Sequence, residues 1–162
     1  MIPAVGGIFM TRSDLIAKIE ALPAELRRLV AGASPEQLDR PYRSGGWSSR
    51  QVIHHLADSH MHAYVRCRFI LLENDPPLKP YDQDAWAALP DASHGPIEPS
   101  LAILDGLHAR WAAFFRAVPE DAWSRKGYHP EYGAVTLERL LETYAAHGEK
   151  HLNHIRAGLA QG

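Results

Sequence analysis

Ten of the 162 residues are histidine, and most fall into two groups. Four stand at positions 54, 55, 60 and 62, and three at 147, 151 and 154. His147 and His151 are spaced i, i+4, which sets both rings on one helix face, a single turn apart, within reach of one ion. Neutral imidazole is a borderline ligand that suits zinc, nickel, copper or iron. Tyr144, Gly148 and Ile155 flank the pair, so the face that carries it is the apolar one. A third ligand must come from another segment. His55 is the candidate, because it lies beside Val52, Leu56 and Ser59 on an inward-facing stripe. His54 sits about 100° further round the same helix and is expected to point outward or sideways.

Competing readings exist for each of these residues. An i, i+4 histidine pair also occurs on protein surfaces, or as core histidines bonded to a neighbour. His154, on the same inward side as His151, fits a group supporting a ligand, a substitute ligand or an ordinary core histidine, and the last is the favoured reading. The zinc-protease pattern HExxH is absent, since Gly148 follows His147. Glu149 turns about 200° away from His147 and reads as a surface charge. Asp58, three residues past His55, fits either a catalytic base near a metal or a helix-surface charge. Arg66 suits either an ion pair or an anionic substrate. Cys67 reads as a small buried hydrophobe. No glycine-rich phosphate loop and no G-x-S-x-G nucleophile elbow occur in the chain.

These groups must be positioned by helices, because the dominant apolar period is helical and nothing alternates convincingly with period two. The first long helix is expected over residues 13–30, with Pro23 kinking or splitting it. Ser34 and Pro35 open a short turn. Ser48 and Gln51 form a capping box for a second long helix ending near Glu73. Residues 74–99 carry six prolines, a long loop of the functional kind and a candidate cover for the site. A short helix with Trp86 is expected within it. Ser100 is the expected cap of a third long helix ending near Val118. A hairpin is expected around Gly133, and Thr136 should cap a fourth long helix running to Leu159. The expected fold is therefore all-α, a four-helix bundle over residues 13–160 behind a loose tail over 1–12. Bundle cores are standard places for metal sites built from facing helices.

Composition narrows the function classes. Seventeen basic and nineteen acidic residues give a formal net charge of −2, with no excess of cations for a nucleic-acid backbone. No apolar run approaches the roughly 20 residues of a membrane helix. The one cysteine permits no intramolecular disulfide and is compatible with a reducing cytoplasm. The expected partner is thus a small molecule, with neither nucleic acid nor membrane.

Several runs carry a specific likeness. Pro41-Tyr42-Arg43-Ser44-Gly45-Gly46-Trp47, the stretch Arg50 to Met61 containing His54-His55-Leu56-Ala57-Asp58-Ser59-His60, Lys79-Pro80-Tyr81-Asp82 with Trp86, Leu107-His108-Ala109-Arg110-Trp111, Tyr128-His129-Pro130-Glu131 and Tyr144 to Ile155 occur in that order. Together they closely resemble the YfiT branch of the DinB-like superfamily, over residues 13–159. The resemblance implies an up-down-down-up bundle. It also implies one divalent ion per chain, zinc or nickel, on His55, His147 and His151, a metal-dependent hydrolase activity and a homodimer. In the wider superfamily, relatives are thiol-dependent transferases and isomerases that use bacillithiol, mycothiol or glutathione. Glu149 and Lys150 stand where some relatives place histidines, which leaves the trio intact.

Three neutral histidines leave coordination positions open, as catalytic rather than structural zinc sites do. Such a site activates water for hydrolysis, with Asp58 as the candidate base, or binds a thiol as thiolate for transfer to an electrophile. A non-catalytic metal-binding stress protein is the reading from another class.

Overall fold

The computed structural model describes residues 10–161, so most of the expected tail over 1–12 lies outside the described residues. The chain runs α1 (Arg12–Val30), α2 (Pro35–Leu38), α3 (Ser49–Leu72), α4 (Gln83–Ala87), α5 (Pro90–Ser93), α6 (Glu98–Arg116), a 3-10 turn (Glu120–Ala122), β1 (Lys126–His129), β2 (Gly133–Thr136) and α7 (Leu137–Ala160). The helix starts follow local chemistry. Thr11, Ser34 and Ser48 each accept the amide of the third helical residue, and the side chains of Asp14, Gln37 and Gln51 close the reciprocal bond. Thr136 caps α7 through Arg139 N–H. β1 and β2 pair antiparallel around Gly133, whose φ of +72° suits a residue without Cβ.

Two helix boundaries differ from the sequence reading. Pro23 does not split α1, which is one helix of 19 residues. A mid-helix proline costs about 3 kcal/mol, and here Leu22, Pro23 and Leu26 are all buried, so packing outweighs that cost. Ser100 does not cap α6. The helix begins at Glu98, with Pro99 in the first turn where its missing amide is harmless, and Ser100 Oγ is engaged instead by His54.

Side-chain pairs give the helix directions. Arg12 bonds Glu120 beyond the end of α6, while Arg27 bonds Glu98 and Asp105 near its start, so α1 and α6 are antiparallel. Arg12 with Glu138 and Lys18 with Glu149 run α1 and α7 parallel. His54 with Ser100 and His60 with His108 run α3 and α6 parallel. α3 and α7 are antiparallel, since Ser49 meets Gly158 while His55 meets His147. The result is an up-down-down-up four-helix bundle.

The core has two apolar clusters. One gathers Ile16, Ile19, Tyr64, Cys67, Trp111, Phe115 and Leu141. The other gathers Leu22, Leu26, Val52, Ile53, Leu56, Leu104, Leu152 and Ile155. Histidines lie between them in sequence on three helices: His60 follows Leu56 and precedes Tyr64, His108 follows Leu104 and precedes Trp111, and His147 and His151 lie between Leu141 and Leu152. Among the described residues no helix is long and apolar enough to cross a membrane.

Leu104 is fully buried in the second cluster. Leu104→Ala should cost about 2–5 kcal/mol. Chemical denaturation checks this as a lowered midpoint with an unchanged slope.

Candidate metal centre

α3 and α7 face each other across the bundle and bring His55, His147 and His151 together. One ligand atom from each lies within 4.8 Å of the other two. His147 Nε2 is 3.4 Å from His55 Nε2 and 3.1 Å from His151 Nε2. Zinc–nitrogen bonds of about 2.0–2.1 Å around one tetrahedral ion place neighbouring nitrogens about 3.3–3.4 Å apart. The spacing therefore fits three imidazoles around a single divalent ion. The i, i+4 pair and the inward-facing His55 are the residues the helical pattern selected.

Burial is the first cause of the electrostatics. It holds His55 down to about 4, His147 to about 3 and His151 to about 2. The three rings add mutual repulsion: His55 lowers His147, and both lower His151. All three are neutral at pH 7, the form that binds metal.

Other groups surround the trio. Trp47 packs on His55 with ring centres 4.8 Å apart, and its Nε1–H donates to Asp84 Oδ1 at 3.1 Å. Asp84 is the carboxylate whose charge acts on His55. Tyr144 lies 5.4 Å from the His147 ring and 5.3 Å from that of His60. His154 stacks on Tyr42 at 4.1 Å, and its Nδ1 is 3.3 Å from His151 Nδ1, so it supports the back of a trio member rather than joining it.

Asp58 is half-buried on α3, and burial raises its carboxyl, with Asp91 acting in the same direction and His54 and His62 against it. Its side chain makes no hydrogen bond to the trio among the described residues. Glu149 is exposed and pairs with Lys18 at 2.7 Å. Cys67 is fully buried and its thiol is pushed up to about 12, so it is inert. Arg66 donates to the Lys79 carbonyl.

Residues 74–99 lie along α3, from Arg50 and Gln51 in its first turn to His62 and Arg66 in its second half. Gln51 Nε2 donates to the Ala87 carbonyl at 2.8 Å, and Arg50 Nη1 to the Gly95 carbonyl at 2.9 Å. His54 was expected to point outward or sideways. It is buried instead, bonding Ser100 Oγ at 2.7 Å and the Gly95 carbonyl at 3.3 Å, because the long segment folds over that side of the helix. Trp86 and Tyr81 pack on His62. Asp84 and His108 were not singled out by sequence reasoning. The only signal for Asp84 is its place in the Pro-rich segment, while His108 stands in the Leu107–Trp111 run of the family likeness with no role attached to it.

Residues 18–155 match the family model described as the DinB superfamily. The chain belongs to that superfamily. Among DinB relatives, a protein of Oceanobacillus iheyensis named as a candidate metal-dependent hydrolase is 46% identical over 143 residues, covering 88% of this chain and 83% of the relative. YfiT of Bacillus subtilis, named in the same way, is 43% identical over 141 residues, covering 86% and 79%. The solved structure of YfiT, described as having an unusual four-helix bundle topology, superposes with a TM-score of 0.87 at 40% identity over 96% of this chain and 89% of that one. A second four-helix bundle protein, TT2238, superposes with a TM-score of 0.62 at 23% identity over 91% and 99%, and shares the fold.

Burial also depresses His60, well below its usual value, and His108, to about 4. With the trio this makes five histidines held neutral. In the unfolded chain each titrates near 6.5, so above that pH both states are neutral and no stability difference arises. Below it the unfolded chain takes up protons that the folded chain refuses, and stability is lost as pH falls towards the folded values. The melting temperature of the metal-free protein, read by calorimetry, should fall steadily from pH 7 to pH 5. A flat profile would contradict the buried neutral layer.

Proposed function

We propose that this DinB protein is a hydrolase dependent on one divalent metal ion, zinc or nickel, held by His55, His147 and His151. The observation that carries the reading is the convergence of three neutral imidazole nitrogens, two on buried residues and one on the half-buried His147, at 3.1 and 3.4 Å spacing. The names of its relatives as candidate metal-dependent hydrolases support it. A divalent ion in such a set acts as a Lewis acid and lowers the pKa of coordinated water towards ~7.

The chain's own residues do the rest. Neutral ligands keep the full positive charge of the ion available to a reacting group. Trp47 shields His55 and fixes Asp84 through the bond to Oδ1. That bond leaves Asp84 Oδ2 without a side-chain partner among the described residues, ready to accept the proton of an attacking water. Asp84 therefore has a stronger claim to the role of base than Asp58, whose charged neighbours are Asp91, His54 and His62. The folded segment 74–99 supplies Asp84 and covers one side of the site, which assigns it to substrate selection.

Elemental analysis of protein purified without a histidine tag should find about one ion per chain, with little left in His151→Ala. Absence of any ion after supply of zinc and nickel would sink the reading. Asp84→Asn should keep its metal and lose about 100-fold in kcat against ester or amide substrates. A comparable loss in Asp58→Asn alone would return the base to Asp58. Turnover only with a low-molecular-weight thiol and an electrophile would replace hydrolysis by thiol transfer.

A further inference from the structure

Inside an α-helix the carbonyl of residue i accepts the amide hydrogen of residue i+4. For Ile19 that partner is Pro23, which has no amide hydrogen. Ile19 is 1% exposed, so its carbonyl must find another donor or remain unpaired in the core. The donor is His108 on α6, whose Nδ1 lies 2.5 Å from the Ile19 oxygen.

The carbonyl can only accept, so His108 carries its hydrogen on Nδ1. A neutral imidazole has one N–H, and its other nitrogen is then a bare lone pair. His108 Nε2 is thus an acceptor, and it lies 2.8 Å from His60 Nδ1. His60 must donate from Nδ1, which leaves His60 Nε2 bare. That atom lies 3.0 Å from His147 Nδ1. His147 must in turn donate from Nδ1, and its Nε2 is left bare. Nε2 is the atom that faces His55 and His151. Every link has a donor and an acceptor, and the order cannot be reversed without aiming a lone pair of His108 at a carbonyl oxygen. His60 and His108 are fully buried, so no solvent competes for these bonds.

We propose that Pro23 is a positioning residue for the metal site: by withholding an amide hydrogen from the Ile19 carbonyl it gives His108 its acceptor, and through His108 and His60 it fixes His147 as the Nδ1–H tautomer with Nε2 free to bind the ion. The chain is a tautomer lock and not a proton path, because it ends on a buried carbonyl that cannot release a proton. All four long helices contribute to it: α1 the carbonyl, α6 His108, α3 His60 and α7 His147. The metal part of the inference rests on the proposed metal-dependent function, while the tautomer part stands without it.

The test separates the two. Long-range hydrogen–nitrogen correlation spectra of metal-free protein, labelled at the histidine nitrogens, should show protonated Nδ1 and bare Nε2 in His60, His108 and His147. A protonated Nε2 at His60 or His147 would overturn the lock. Zinc affinity is then measured in three variants, each checked for its fold by circular dichroism. His60→Leu breaks the chain and should weaken binding about 10–100-fold. His60→Gln keeps the order, with an amide oxygen to accept from His147 and an amide hydrogen to donate to His108, and should restore binding to near the parent value. Pro23→Ala returns an amide hydrogen to the Ile19 carbonyl. It should shift the nitrogen signals of His108 towards a mixture of tautomers and weaken zinc binding about 10-fold. If Pro23 served only helix geometry, Pro23→Ala would stabilise α1 and leave the histidine signals and zinc affinity unchanged, which would overturn the proposal. Should His60→Leu fail to fold, Pro23→Ala and His60→Gln decide the outcome. Failure of the parent protein to bind zinc or nickel would sink the metal reading, and the nitrogen spectra alone would then decide the lock.

Discussion

Leaving a buried polar atom unpaired is costly, and in this bundle that cost bears on a layer of imidazoles set between two apolar clusters. An unpaired buried donor or acceptor costs about 1–3 kcal/mol. His60 and His108 are fully enclosed, with four ring nitrogens between them, and all four have partners within 3.0 Å. The partners come from three other places in the fold: the backbone of α1, the facing helix within the pair, and His147 on α7. Satisfying them requires the helices to keep one register along the bundle axis, since a shift of one residue would move each ring about 1.5 Å. The apolar clusters on either side supply the stabilising burial, and the imidazole layer sets the alignment at which that burial occurs.

The same layer explains why the site residues are suited to metal. His55, His147 and His151 are neutral because their surroundings desolvate the charged form, and their lone pairs converge because two antiparallel helices bring them to one level. Trp47 and Tyr144 close the flanks, and the segment containing α4 and α5 is tied to α3 through Gln51, Arg50 and His54. That segment is long and proline-rich, yet its backbone oxygens at Ala87 and Gly95 are used as acceptors by α3. It is held as part of the fold, and Asp84 within it accepts a hydrogen bond from Trp47.

Much of this was legible in the chain. The four long helices follow from apolar periodicity, and two of the four starts follow from Ser48 and Thr136 as caps. The trio follows from an i, i+4 spacing and one inward position, both of which are local patterns. Other features were not legible because they depend on groups far apart in sequence. Ser100 looks like a cap until His54, 46 residues away, takes its hydroxyl. His108 looks like a core histidine until the carbonyl of Ile19, 89 residues away, is seen to lack its helical partner. Pro23 reads as a defect from the local rule alone, and only the neighbouring helix shows what occupies the gap it leaves. Asp84 has no periodic signature, since α4 is five residues long and its place is set by bonds to α3.

Two indoles stand at opposite ends of the imidazole array. Trp47 lies 4.8 Å from the ring of His55, while Trp111 lies 5.6 Å from the rings of His60 and His108. Indole emission responds strongly to contact with neighbouring rings and with ions that carry unpaired electrons. Nickel at the trio would darken the nearby Trp47, whereas zinc, with a filled d shell, would leave it bright. Trp47 would therefore report on what stands at the trio, while Trp111 would report on the far end of the array.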